Sequence, residues 1–154
     1  MRIDVETLID APMLTAFATA FDVGAWPNFI AGIEKIEVLT PGPLGVGSRF
    51  RETRRMFGRQ AIEEMTIDEI VTPERFVLTA FSHGTAYRAV HQLAEVDGIT
   101  RLLLMFEGEP KTLAARAMFP IGRLFLGSVK RQLADDLAAV KAEAERRHAE
   151  MLKR

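Results

Sequence analysis

The side chains able to do chemistry in this chain are few, and two groups of them stand out by spacing. Tyr87 and His91 lie four residues apart, which on a β-strand directs both to one face. There a phenol and an imidazole can hydrogen-bond a ligand or pass a proton. Glu52, Arg54 and Glu63 form the second group, two carboxylates around one guanidinium. It serves as a salt bridge, as a polar anchor for a ligand hydroxyl or amine, or, where burial raises a carboxyl pKa, in acid/base work. His91, Tyr87 and Glu52 are therefore the candidates for catalysis. The chain has no cysteine, which excludes disulfides, thiolate metal sites and a cysteine nucleophile, and fits a reducing, cytoplasmic compartment. The remaining histidines, His83 in a turn and His148 in the charged tail, are too scattered for a metal. Gly42, Gly45 and Gly47 match neither a dinucleotide fingerprint nor a phosphate loop. No metal or cofactor is expected.

These groups need elements to position them. A chain of 154 residues, 48% of them hydrophobic, is the size of one domain, here residues 1–154. At that length about 70% of the unfolded surface is buried without staples. Arg2 to Glu6 alternates apolar and charged residues, the signature of a strand rather than of a signal peptide. Pro12 opens a short helix to about Phe21, and a second short helix covers about Trp26 to Ala31. Six period-2 segments follow: 32–39, 46–57, 60–71, 75–82, 85–96 and 99–108. From about Thr112 to residue 150 the pattern is helical, broken or kinked near Pro120. In it Phe125, Val129, Leu133, Leu137 and Val140 form one apolar stripe. The most apolar stretch, Thr112 to Val129, is interrupted by Arg116, Pro120, Gly122 and Arg123, so no stable membrane insertion is expected.

Turn chemistry predicts register. Asp97-Gly98 as a two-residue turn pairs Leu93 with Leu102, His91 with Leu104 and Ala89 with Phe106. His83-Gly84 pairs Ala80 with Tyr87, Leu78 with Ala89 and Phe76 with His91. Gly58-Arg59 would pair Arg54 with Glu63, Glu52 with Met65 and Phe50 with Ile67. All three hairpins then agree on one inner, mainly apolar face. Of the five arginines between Arg49 and Arg59, three fall on the outer face beside Glu64 and Asp68, with Phe57 the only aromatic among them. With 20 basic against 21 acidic residues overall, no nucleic-acid surface is expected.

A curved antiparallel sheet of about seven strands must bury that inner face, and the long C-terminal helix is the only element able to cover it. A strongly curved sheet meets a rod imperfectly and leaves a tunnel. The residues expected to line it are Trp26, Phe29, Phe50, Met56, Met65, Leu78, Tyr87, His91, Leu104 and Phe106 with Glu52, Arg54 and Glu63, closed by Phe125 and Val129 of the helix. Trp26 serves equally as a core plug. The segment Met118 to Ile121 with Leu124 to Leu126 reads as core stripe, lid or membrane-touching element.

Several segments carry a family resemblance: Ile9-Asp10-Ala11-Pro12, residues Asp22 to Phe29, Gly45 to Arg51, Ile70 to Arg75, Asp97 to Leu102 and Asp136 to Lys141. Together the chain resembles the START-like, polyketide cyclase/dehydrase type of the SRPBCC superfamily. The resemblance implies an α+β helix-grip fold, a curved sheet wrapped around a long C-terminal helix with two short helices after the first strand. It also implies a deep hydrophobic cavity, in a superfamily spanning lipid carriers, allergen-like binders, cyclases and ring-hydroxylase subunits. The expected partner is a small hydrophobic molecule. Two other readings stand beside it: a cofactor-independent cyclase or dehydratase, and an interaction module or homodimer contact through outward Val90, Leu103 and Met105.

Overall fold

The computed structural model describes residues 1–154. Alternating apolar and polar residues give seven strands: β1 (Arg2–Ile9), β2 (Ile33–Val38), β3 (Arg49–Met56), β4 (Arg59–Val71), β5 (Arg75–Ser82), β6 (Thr85–Val96) and β7 (Ile99–Pro110). They form one antiparallel sheet in the order β1-β7-β6-β5-β4-β3-β2. Between β1 and β2 lie α1 (Met13–Ala20), a 3-10 turn (Val23–Ala25) and the one-turn α2 (Trp26–Phe29). The chain ends in α3 (Leu113–Gly122), a 3-10 turn (Arg123–Phe125) and α4 (Leu126–Leu152). The break predicted near Pro120 thus falls three residues later. Helical geometry runs through Pro120 and tightens to a 3-10 turn at Arg123.

Three two-residue turns set the register, and in all three both central residues have positive φ: Phe57-Gly58, His83-Gly84 and Asp97-Gly98. This is the twist-matched hairpin turn that favours glycine at its second position. Pairing across β5–β6 and β6–β7 is as predicted, including Phe76 with His91 and His91 with Leu104. At β3–β4 the predicted turn, Gly58-Arg59, sits one residue too late. Arg54 lies opposite Ala61 instead of Glu63, Glu52 opposite Glu63, and Phe50 opposite Met65. Moving a turn by one residue slides pairing by two, and a slide of two keeps every side chain on its face. The inner face is therefore as expected while its charge pairs are not. On the outer face Arg49, Arg51 and Arg55 pair with Glu64, Glu37 and Glu34 at 2.6, 3.0 and 3.5 Å. Val90, Leu103 and Met105 are half-buried there.

The core lies toward the C-terminal half of α4. Leu137, Val140 and Ala144 are buried against Ile9, Ala16, Phe17 and Ala20 of β1 and α1, in one cluster with Leu93 and Leu102. Polar ties hold the helix in register. Lys141 Nζ donates to the Leu8 carbonyl at 2.7 Å, Glu145 accepts from the Asp10 amide at 2.8 Å, and Arg147 meets Asp22 at 3.0 Å. In the other half of α4 the only such tie is Asp136, 2.9 Å from Arg54 of β3, and Leu126, Val129 and Leu133 are only partly buried. Thus one end of the sheet is filled by buried side chains, and at the other the helix packs only partly buried ones against it.

Candidate functional site

Between the inner face and the N-terminal half of α4 lies a cavity of about 500 Å³. Hydrophobic residues make up 23 of the 33 that line it, so a bound molecule would lose mostly apolar surface to apolar walls. Of the residues expected there, Trp26, Glu52, Arg54, Met56, Glu63, Met65, Leu78, Tyr87, His91, Leu104, Phe106 and Val129 do line it. Three do not. Phe50 is fully buried behind the wall, edge-on to Trp26 at 5.8 Å. Phe29 packs against the core away from the cavity, under the Arg147 guanidinium at 5.7 Å. Phe125 is half exposed because the 3-10 turn rotates it off the α4 stripe, onto Phe57 at 5.8 Å. Trp26 fills both of its expected roles. It is buried, its Nε1 donates to the Ala20 carbonyl at 3.1 Å, and one face borders the cavity.

The polar end of the cavity is built around Arg54. Its Nε donates to Glu52 at 2.7 Å, and its Nη1 to Asp136 of α4 at 2.9 Å. The three side chains are 12%, 5% and 19% exposed, so the guanidinium bridges sheet and helix out of bulk water. Burial pushes the Asp136 carboxyl up to about 6 against the pull of Arg54, with Glu52 adding repulsion. Glu63, expected to be the partner of Arg54, instead faces Glu52. Burial raises its pKa, partly opposed by the Ser82 hydroxyl and His83. The group therefore holds more carboxylates than cations and fits a hydrogen-bond donor. Asp136 is the site residue that sequence reasoning missed. A signal was present: it stands seven residues after Val129, an acidic residue two turns along an apolar stripe.

Toward the middle of the cavity the His91 ring stacks on Phe76, centroids 4.1 Å apart and nearly parallel. Its Nδ1 is buried without a hydrogen-bond partner. Burial lowers its pKa to about 4, so it is neutral at pH 7. Tyr87, two same-face positions away, stacks on Phe106 at 5.6 Å. No group of three or more metal-ligating side chains converges anywhere in the chain. A second, open groove of about 910 Å³ on the outer face is lined by Glu64, Thr66, Phe81, Arg88 and Glu107 among others. Of the inward groups described above only Tyr87 reaches it.

The arrangement of seven strands around a long helix recurs in solved structures. Ara h 8.0201 superposes with a TM-score of 0.74 at 19% identity, covering 94% of this chain and 97% of that one. The Zhui aromatase/cyclase from Streptomyces sp. R1128 gives 0.76 at 19% identity over 96% and 94%. TTHA0849 from Thermus thermophilus gives 0.72 at 17% over 94% and 97%. The chain has the helix-grip fold. No protein-family model and no curated protein matches it. At 17–19% identity these likenesses show the fold alone.

Proposed function

We propose that the protein binds a small hydrophobic molecule between the sheet and α4, with a hydroxyl or amine of that molecule at the Glu52/Arg54/Asp136 end. The observation that carries this reading is the cavity itself, about 500 Å³ with apolar walls and one polar end. A native domain of this size rarely leaves such a volume unfilled without use, since each missing contact weakens the core. Native mass spectrometry of the purified protein, followed by displacement of a fluorescent fatty-acid analogue, tests it. Retention of an apolar small molecule, or saturable uptake of the analogue, is expected. Failure to take up any of a panel of apolar probes refutes it.

A second reading, a cofactor-independent cyclase or dehydratase, is favoured by one specific feature. Asp136 has a carboxyl pKa near 6, and the neutral His91 imidazole lines the same cavity. Such groups suit proton transfer near neutral pH. Incubation with a poly-β-ketone substrate mimic, read by loss of ketone and appearance of aromatic absorbance, separates it from binding alone. Activity retained in both Asp136→Asn and His91→Phe excludes these residues as the acid and base.

A further inference from the structure

Helix α3 and the 3-10 turn after it are apolar on two sides. On one side Ala115, Met118, Phe119 and Gly122 border the cavity, with Arg123 at its edge. On the other, Leu113, Ile121, Leu124 and Phe125 are 83, 51, 80 and 50% exposed, and Phe57 of the β3–β4 turn, 63% exposed, lies against Phe125. No residue of the segment is buried. A surface helix normally turns one apolar stripe to the core and a polar face to water, so the outer apolar side lacks a partner in the chain itself.

Charge identifies the partner. Between Glu109 and Asp135 there is no acidic residue, while Lys111, Arg116, Arg123, Lys130 and Arg131 are basic, in a chain whose net charge is −1. Lys111 pairs with Glu109 at 3.1 Å. Arg116, Arg123, Lys130 and Arg131 are exposed and form no ion pair, unlike Arg49, Arg51, Arg54 and Arg55, each of which meets a carboxylate. Exposed Leu, Ile and Phe interleaved with unpaired Arg116 and Arg123, and followed by Lys130 and Arg131 at the start of α4, are the composition of a helix that lies in a membrane interface and is drawn there by anionic lipid. None of the helices is long and apolar enough to cross a membrane.

We infer that α3, with Phe57 beside it, is a reversible docking surface for anionic lipid bilayers, seating the cavity's α3 wall on the membrane. The inference concerns the outer side of α3 and stands whether or not the cavity holds a ligand. Its test is co-sedimentation of the full chain with extruded vesicles, phosphatidylcholine alone against phosphatidylcholine containing about 30 mol% phosphatidylglycerol, which supplies the negative surface potential. Binding is expected to the anionic vesicles only, and to weaken strongly between about 50 and 500 mM salt. Each neutralised cation near the surface should cost about fivefold, so Arg116→Gln/Lys130→Gln binds roughly 25-fold more weakly. Leu124→Ser/Phe125→Ser, at exposed positions, should abolish binding with the circular dichroism spectrum unchanged. No binding by the wild type at low salt, or undiminished binding by both double variants, overturns the inference. So does sedimentation velocity showing a dimer that only Leu124→Ser/Phe125→Ser dissociates, since a second copy would then cover this face.

Discussion

Replacing Arg54 by methionine tests the structural reading of the polar end most directly. The guanidinium is the only cation bonded to Glu52 and Asp136, and the three side chains are 12, 5 and 19% exposed. At an effective dielectric near 20, each contact at about 4 Å between charge centres is worth roughly 4 kcal/mol before desolvation is subtracted. Methionine keeps much of the apolar stem and leaves two carboxylates facing each other. Removing one partner of a buried ion group costs about 3–5 kcal/mol, because the charges left behind stay buried and unpaired. Urea unfolding at pH 8 should show a loss of that size for Arg54→Met. The deficit should shrink as the pH falls to about 5. Without Arg54, the Asp136 carboxyl, already pushed up by burial, rises further. A raised folded-state pKa means that the folded form binds more protons than the unfolded, so stability falls as pH rises through that window. The triple variant Arg54→Met/Glu52→Gln/Asp136→Asn should recover most of the loss at pH 8, since no uncompensated charge remains. A deficit under about 1 kcal/mol, or one independent of pH, would show that the group is hydrated and not a buried bridge between sheet and helix.

Three further outcomes are expected. His91 and Asp136 titrate against each other: the lowered pKa of His91, about 4, removes stability as pH falls from 6.5, while the raised pKa of Asp136, about 6, removes stability as pH rises from 3.8. Their slopes nearly cancel in the wild type, so His91→Phe should gain roughly 2 kcal/mol relative to wild type on going from pH 7 to pH 5, read by urea unfolding at each pH; equal slopes in the two proteins would place the imidazole in water. At Gly84, with φ +77°, an added Cβ would stand 2.3 Å from Thr112 Oγ1, the group that caps α3 by accepting from the Ala115 amide at 3.1 Å. Gly84→Ala should therefore cost about 1–3 kcal/mol and increase amide exchange in α3, whereas protection as in wild type would show that the cap does not anchor the helix. Ala89→Trp, which fills the cavity between Leu78 and Phe106, should reduce uptake of the fluorescent analogue at least about tenfold with the fold retained by circular dichroism; unchanged uptake would put the probe elsewhere.

Much of this architecture was legible because two periodicities and three glycine turns carry it. Strand boundaries followed from alternation, and two hairpin registers from Gly at the second turn position, which made the inward facing of Tyr87 and His91 derivable from sequence alone. The β3–β4 register was missed because Phe57 takes φ +52°, a conformation a bulky residue rarely adopts, so the turn was centred on Gly58-Arg59 instead. The face survived this error and the pairing did not, since faces depend on parity while partners depend on the turn centre. Asp136 was missed for a different reason. Its place on the apolar stripe was visible, but its partner Arg54 is distant in the chain, and the packing of α4 across the sheet, set by ties such as Lys141 to Leu8, leaves no trace of that pairing in either segment. Phe125 followed the stripe in sequence but left it in space, because a 3-10 turn advances each residue further around the axis than an α-helix does.

The position of the ion group along α4 explains why a cavity can persist beside a sound core. From Leu137 onward the helix buries side chains against β1 and α1, so the hydrophobic term holds it to the sheet. Before Leu137 the apolar residues Leu126, Val129 and Leu133 are only partly buried, and collapse of the sheet onto them would remove the space. Asp136 sits at that boundary, and its bond to Arg54 joins the helix to β3 through a long, extended side chain. A contact of this reach fixes the helix at a distance that Leu-to-Leu packing would not, and it does so where burial alone would favour closure. The cost is visible in the raised Asp136 pKa, which is energy the fold gives up to keep a charged pair dry. A spacer that is polar, buried and unfavourable on its own account is expected where the space it maintains is used.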